Sequence, residues 1–368
     1  MTRTVGSFSE FSYPNNPLFN YDGAIYTVIN DKNLLGSGRA GSVYKAVPDD
    51  PSRPSLAVKV VTERRGYDPC LGMCNEAGWN QRIHGIGFSS KKSLSLLMPL
   101  VIGENLHDFI LNQSTVSDRT VMHYWILLAL SVENLHKTHN AVHGDVKMAN
   151  AMRCVNPGGS ETIKLIDFQY TASVGMPAPL AGILPSCCRE GGMAPELSDG
   201  SITATRAQDY YRLGSTLLCL LKRMSHVSQE VKTSVTKITN GLCWHNVQNR
   251  WCIPHAVYEL ECALTIIPRY PASATFCTLL DSHIDVLAGE MYAATQETIK
   301  LKTEKQTALR EIQKALLDPR DLRTITQKVA SVRKTYPKVT AGFFFLRTKT
   351  LLDELLRCEK SSTTRALQ

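Results

Sequence analysis

The sequence predicts an α+β chain: a small sheet carrying one helix, then a larger helical domain, then a basic helical extension. Three observations lead there. Short β-type runs at Ser42–Val47, Leu56–Val61 and Leu94–Met98 leave room for a single helical stretch at Cys74–His84 between the second and third. From Ser117 to His139 the apolar residues Val121, Trp125, Leu128, Val132 and Leu135 recur every three or four positions, one stripe on one long helix. After Asp281 the pattern is again helical but rich in mixed charge.

At 368 residues, 43% hydrophobic and 20% charged, the chain can bury the cores of two or three packed units. The same balance excludes collagen-like, low-complexity and wholly disordered classes. Residues 1–28, with Ser, Asn, Pro and Tyr in no sustained period, read as a polar extension lying on the surface of the first domain, with structure beginning near Ile29. Beyond the long helix, Asp209–Lys222 and Ala256–Leu264 read as helices, and the polar segment Ser225–Arg250 between them reads as a loop or irregular insertion. The charged helical stretch runs to Leu317, breaks at Asp318–Pro319, resumes to about Thr335, and continues through an apolar patch, Phe343–Leu346, into a last helix to Arg357. No apolar run reaches the roughly 18 to 20 residues that span a bilayer. Met1 to Asn16 lacks the apolar stretch of a secretory signal, so an intracellular, reducing compartment is expected. The eleven cysteines are scattered and are expected mostly as free thiols, since neither Cys70–Cys74 nor Cys187–Cys188 has a second pair at zinc-site spacing.

The first residues able to carry chemistry form a glycine-rich turn between strand-like runs. Leu35 leads into Gly36, Ser37, Gly38, Arg39, Ala40, Gly41, Ser42 and Val43, whose exposed amides suit phosphate oxygens. Alone it reads first as a plain hairpin turn. On the next strand Ala57-Val58-Lys59 places an ammonium where it can neutralise phosphate, and Glu76 on the helix after it can hold it. His143 through Asn150 then brings three polar functions into six residues. Phosphoryl transfer needs a carboxylate for the attacking hydroxyl, a cation near the moving group, and oxygen ligands for a metal. Asp145, Lys147 and Asn150 answer to these in turn, and Asp167, closing the strand Lys164–Ile166, adds a second hard oxygen ligand.

In this order and at these separations the motifs resemble those of the eukaryotic-type protein kinases, from about Leu34 to Leu280. Ala194-Pro195-Glu196 resembles the family's close of the activation segment, Asp209 to Gly214 the signature of its next helix, and Arg269 the arginine that pairs with that closing glutamate. The resemblance implies a bilobal protein-kinase-like fold. Its domain would cover 29–282, with an antiparallel-sheet N-lobe at 29–98, a hinge at 99–103 and a helical C-lobe at 104–282. Residues 1–28 would be the N-terminal extension and 283–368 the basic C-terminal one. It further implies ATP with Mg²⁺, or Mn²⁺ in its place, and transfer to Ser or Thr of protein substrates, Lys147 marking that acceptor class. Val43 and Ala57 would roof the adenine, Met152 floor it, Met98 stand as gatekeeper and Val101 in the hinge. Asn150 and Asp167 would hold the metal, and His143 would be architectural, stacking on Phe168.

The departures are Gly144 where an arginine usually precedes the catalytic aspartate, Gln169 where the family has glycine, the polar Asn80 one turn after Glu76, and Arg189 where a threonine is usual. Gly144 removes the expectation of control by an activation-loop phosphate. Together these keep a second class in view, a pseudokinase acting as a nucleotide-binding interaction module. His-Gly-Asp also suits small-molecule kinases, which generally lack an activation segment like Ala194–Glu196. The divergent form fits a kinase of a large DNA virus or a bacterial effector, acting in a host cell, as well as a cellular one in cytoplasm or nucleus.

Charge locates the remaining expectation. From Thr295 to Gln368 there are 16 Lys and Arg against 8 Asp and Glu, and the rest of the chain is balanced. Such a tail suits an acidic partner or surface. Interspersed acids such as Glu304, Glu311 and Asp321 and the lack of interleaved aromatics argue against nucleic acid. The Phe343–Phe345 patch is expected to dock on the body or on a partner.

Overall fold

The computed structural model describes residues 8–11, 18–28, 33–38, 41–61, 69–91, 93–112, 117–179, 192–198, 203–222, 228–264, 280–281, 284–285, 287, 296–317 and 325–336. In chain order the strands are β1 (Phe8–Phe11), β2 (Leu18–Tyr21), β3 (Ala24–Thr27), β4 (Leu34–Gly38), β5 (Gly41–Pro48), β6 (Leu56–Val61), β7 (Phe88–Ser90), β8 (Ser95–Pro99), β9 (Glu104–Asn105), β10 (Ala141–Val142), β11 (Ala151–Val155), β12 (Glu161–Leu165) and β13 (Ala172–Ser173). The helices are α1 (Pro69–His84), α2 (Leu106–Asn112), α3 (Asp118–His139), α4 (Pro195–Ser198), α5 (Arg206–Leu221), α6 (Gln229–Leu242), α7 (Ile253–Ala263), α8 (Gln296–Leu317) and α9 (Ile325–Thr335). The chain divides into two compact units. The first is Met1–Phe109 with His143–Asp145 and Ala149–Thr171, and the second is the remainder.

The first unit is built on an antiparallel sheet of order β1-β2-β3-β5-β6-β8-β7, with β4 paired to β5. Alternation along β6 sorts its two faces. Leu56 and Val58 join Phe19, Tyr26, Ala46 and Leu97 in one core, while on the other face Met73 and Ala77 of α1 pack on Leu96, with Val61 and Met98 beside them. Lys59 lies on that second face, opposite Val43 and Leu96 in the ladder. A three-stranded sheet, β12-β11-β9, completes the unit. Residues 18–27, expected in a surface extension, instead form β2 and β3. These strands continue the sheet, β3 pairing β5 at Tyr26↔Pro48 and Thr27↔Val47, and Phe19, Ala24 and Tyr26 are buried.

In the second unit α3 begins at the Ser117 cap, whose side chain accepts from the Thr120 amide. It buries the Val121, Trp125, Leu128, Val132 and Leu135 stripe, and Trp125 donates its indole N–H to the Leu213 carbonyl on α5 at 3.0 Å. His136 lies 2.8 Å from Asp209. The segment read as a loop or insertion at Ser225–Arg250 is corrected: it holds α6, capped by Ser228 and buried along Val235, Ile238, Thr239 and Leu242. That stripe sits among Ser, Thr, Lys and Asn, which hides it from a count of apolar residues. Helices α8 and α9 bury Ala308, Leu309, Ile312, Val329 and Val332, and Gln306 donates to the Ile284 carbonyl at 2.9 Å. Two of the tail's basic residues, Lys305 and Lys328, are buried. The Phe343–Phe345 patch and the final helix lie outside the described residues. No described helix is long and apolar enough to cross a membrane.

Candidate active site

The glycine-rich turn is a hairpin. Leu34 pairs Tyr44, Gly36 pairs Val43, Ser37 pairs Ser42 and Gly38 pairs Gly41, with a register shift between Leu34 and Gly36. The Ser37 and Ser42 hydroxyls lie 2.8 Å apart. Leu35 and the rest of β4 are exposed. Gly41 is required where it stands: at φ +147 a Cβ would come within 2.1 Å of the Val60 carbonyl oxygen. A Cβ on Gly36 or Gly38 would meet nothing within 4 Å, so the face over these residues is open, as a phosphate cradle needs. Arg39 and Ala40 lie outside the described residues.

Beneath this hairpin Lys59 donates to Glu76 Oε2 at 2.7 Å and to Asp167 Oδ1 at 2.9 Å. One ammonium thus joins a strand, a helix and the end of a hairpin separated by up to 108 residues. Burial works against the Lys59 charge, but the Asp167 and Glu76 carboxylates outweigh it and raise its pKa above the ordinary lysine value. Burial pushes Glu76 up to about 7, the Lys59 ammonium opposing and Asp167 adding to the shift. Ala57 pairs Met98 across β6 and β8, and Met152 sits on β11 opposite Asn105 and Lys164. Val101 comes just after β8, half-buried.

Asp145 and Asn150 are both buried. The Asn150 amide nitrogen donates to the Asp145 carbonyl and to its Oδ2, each at 2.9 Å, so its own Oδ1 is kept as an oxygen donor. The Asp145 amide donates to His143 Nδ1 at 3.3 Å, which places the imidazole proton on Nε2, 3.2 Å from the Ile166 carbonyl. The His143 and Phe168 rings stand 5.4 Å apart, tilted by 53°. His143 therefore orients the loop. Lys147 belongs to the second unit and is half-buried. An amide oxygen at Asn150 and a carboxylate at Asp167 are the hard, sparse donor set that suits Mg²⁺ completed by phosphate oxygens. Among the described residues no group of three or more His, Cys, Asp and Glu forms a metal cage.

The geometry at this point is a cation held between two carboxylates, a third carboxylate fixed by a carboxamide, and an open glycine hairpin. The family model of the protein kinase domain matches residues 29–286, well over half of the chain. The chain belongs to the protein kinase family. Membership brings phosphotransfer from ATP, protein substrates and, typically, a divalent metal to this kinase. Comparison with curated proteins gives no match.

The kinase's own geometry adds two residues to those expected. Glu196 is held by Arg250, through Nη1 to Oε1 at 2.8 Å and Nη2 to Oε2 at 3.0 Å; Arg269, expected to pair with it, lies outside the described residues together with Arg189. Asn75 enters the site unforeseen, its side chain bonded to the turn after Asp167. Gly144, the departure from the family's arginine, has φ +80, and a Cβ there would fall 2.5 Å from the Tyr170 carbonyl oxygen. Gly144→Arg is therefore expected to cost about 1–3 kcal/mol of stability. A urea titration of the two proteins reads this, and an unchanged midpoint contradicts it.

Proposed function

We propose that the chain is an active serine/threonine protein kinase working on Mg²⁺-ATP, with its kinase domain at 29–282, flanked by a short N-terminal segment and a basic helical extension from 283. The observation that carries this reading is the Lys59–Glu76–Asp167 junction, in which Lys59 and Glu76 are buried and Asp167 is partly exposed. Burying an ammonium beside a buried carboxyl is expensive unless the groups serve one another and a ligand, and a chain released from catalysis has no need of Lys59, Glu76 and Asp167 together. This supports transfer over the nucleotide-binding module.

The hairpin of Leu35–Val43 covers the phosphates, Val43 and Ala57 roof the base, Met152 floors it, and Met98 and Val101 line the hinge side. Lys59 positions phosphate oxygens. Asn150 and Asp167 hold Mg²⁺, which when bound neutralises charge on the phosphate oxygens. Asp145, oriented through Oδ2 by Asn150, takes up the proton of the attacking hydroxyl at its carboxylate, and Lys147 stabilises charge on the transferring group. Lys147, two residues beyond Asp145, favours Ser and Thr acceptors. The basic extension suits an acidic partner or surface.

The test is transfer from γ-labelled ATP to a generic basic protein, with phosphoamino-acid analysis of the product. Phosphoserine or phosphothreonine is expected, and phosphotyrosine alone would remove the acceptor assignment. Glu76 is also expected to make the reaction depend on pH. Its folded pKa of about 7 exceeds the ordinary 4.5, so between these values the folded chain keeps a proton the unfolded chain has lost. The contribution of Glu76 to stability falls as pH rises through that window, while the ionised partner of Lys59 accumulates. The expected kcat/KM for ATP has an acid limb near pH 7 that Glu76→Gln lacks, at a lower plateau. An identical limb in the variant assigns it to another group.

A further inference from the structure

We propose that Asn75 is a positioning residue for phosphoryl transfer: its side-chain amide locks the turn after Asp167 to helix α1, which carries Glu76. The inference rests on the kinase reading and adds a part that reading does not use. Asn75 precedes Glu76 on α1, and its Nδ2 donates to the carbonyl oxygens of Gln169 at 2.9 Å and Thr171 at 3.0 Å, with that of Phe168 at 3.4 Å. All three neighbours are acceptors, so only the amide nitrogen can face them, and its two protons serve the two shorter bonds.

What this holds is a backbone that needs holding. Asp167 sits in the left-handed region, φ 65 and ψ 65, a state an L residue keeps only where its surroundings over-determine it. Lys59 restrains the Asp167 side chain, and Asn75 restrains the turn beyond it. The restraint extends to the second carboxylate. Thr171 Oγ1 donates to the His143 carbonyl at 3.1 Å, and His143 accepts from the Asp145 amide. One neutral amide thereby fixes the Glu76 helix, the Asp167 turn and the Asp145 loop together. With glycine at 144 there is no guanidinium at that position to fix the loops through a phosphate, and an amide needs no such signal.

Asn75→Ala and Asn75→Asp in the full chain test this. Asn75→Ala is expected to lower kcat at least about tenfold, the scale of misplaced catalytic groups. It should raise the Mg²⁺ concentration for half-maximal rate, leave KM for the acceptor protein unchanged, and speed amide hydrogen exchange in 166–171. Asn75→Asp, the same size, should be worse, since it turns carboxylate oxygens toward three carbonyl oxygens. An Asp variant that matches wild type while Ala fails means the side chain only fills space, and unchanged exchange in both variants means it holds nothing; either overturns the proposal. If wild type itself transfers no phosphate, the kinase reading fails separately. Exchange in 166–171 and Mg²⁺-dependent binding of an ATP analogue then still decide whether Asn75 positions the turn.

Discussion

Asp145→Asn is expected to lower the rate of phosphoryl transfer about 10²- to 10⁴-fold, the range that a lost general base costs, and to leave ATP binding little changed. The side chain keeps its size, and Asn150 can still donate to the main-chain carbonyl of residue 145, one of the two bonds it makes now. What is lost is an ionised oxygen able to accept a proton, together with the charge-assisted half of the contact to Oδ2. Lys59, proposed to face the phosphates, bonds to Glu76 and Asp167, which is why affinity should be spared. The measurement is single-turnover transfer beside nucleotide titration for the same preparation. A rate within threefold of wild type would remove Asp145 from the chemistry, and a parallel loss of ATP affinity would mean that the loop, not the proton, had been disturbed.

The site's first layer was readable because its parts are ordered along the chain and each is chemically committed. Gly36, Gly38, Gly41, Lys59, Glu76, Asp145, Asn150 and Asp167 are polar or small residues, and their order and separations resemble those of the protein kinases, which is what joined them into one expected site. The strands at 41–48, 56–61 and 95–99 and the stripe of α3 were legible for the usual reason, sustained periodicity over a buried face. Other features left weaker traces. Strands β1 to β3 are four residues each, too short for alternation to rise above a Pro- and Asn-rich background. Helix α6 sets its buried positions among Ser, Thr, Lys and Asn. Asn75 is silent because its partners are main-chain carbonyls 93 to 96 residues away, and any residue type there would supply them. Arg250 was missed because no periodicity or motif in the sequence ties it to Glu196, 54 residues away.

That arginine is where the second large effect is expected. Arg250→Met should lower the stability of the second unit by about 3–5 kcal/mol, the cost of removing one partner of a buried ion pair. Arg250 is 1% exposed and its guanidinium is almost fully used. Both terminal nitrogens reach Glu196, Nη1 also donates to the Ala207 carbonyl at 2.7 Å, and Nε and Nη2 donate to the Trp244 carbonyl at 3.1 and 3.0 Å. Methionine fills much of the volume and replaces none of these bonds, so Glu196 loses both of its Arg250 contacts and the Ala207 and Trp244 carbonyls each lose their bonds to the guanidinium. Arg250→Lys should recover only part of the loss, because a point charge cannot make the parallel pair of bonds. Denaturant unfolding of wild type, Arg250→Met, Glu196→Gln and the double variant decides the matter. Strong coupling between the two single losses is expected, and additive effects would show that Arg250 stabilises the unit through its carbonyl contacts and not through Glu196.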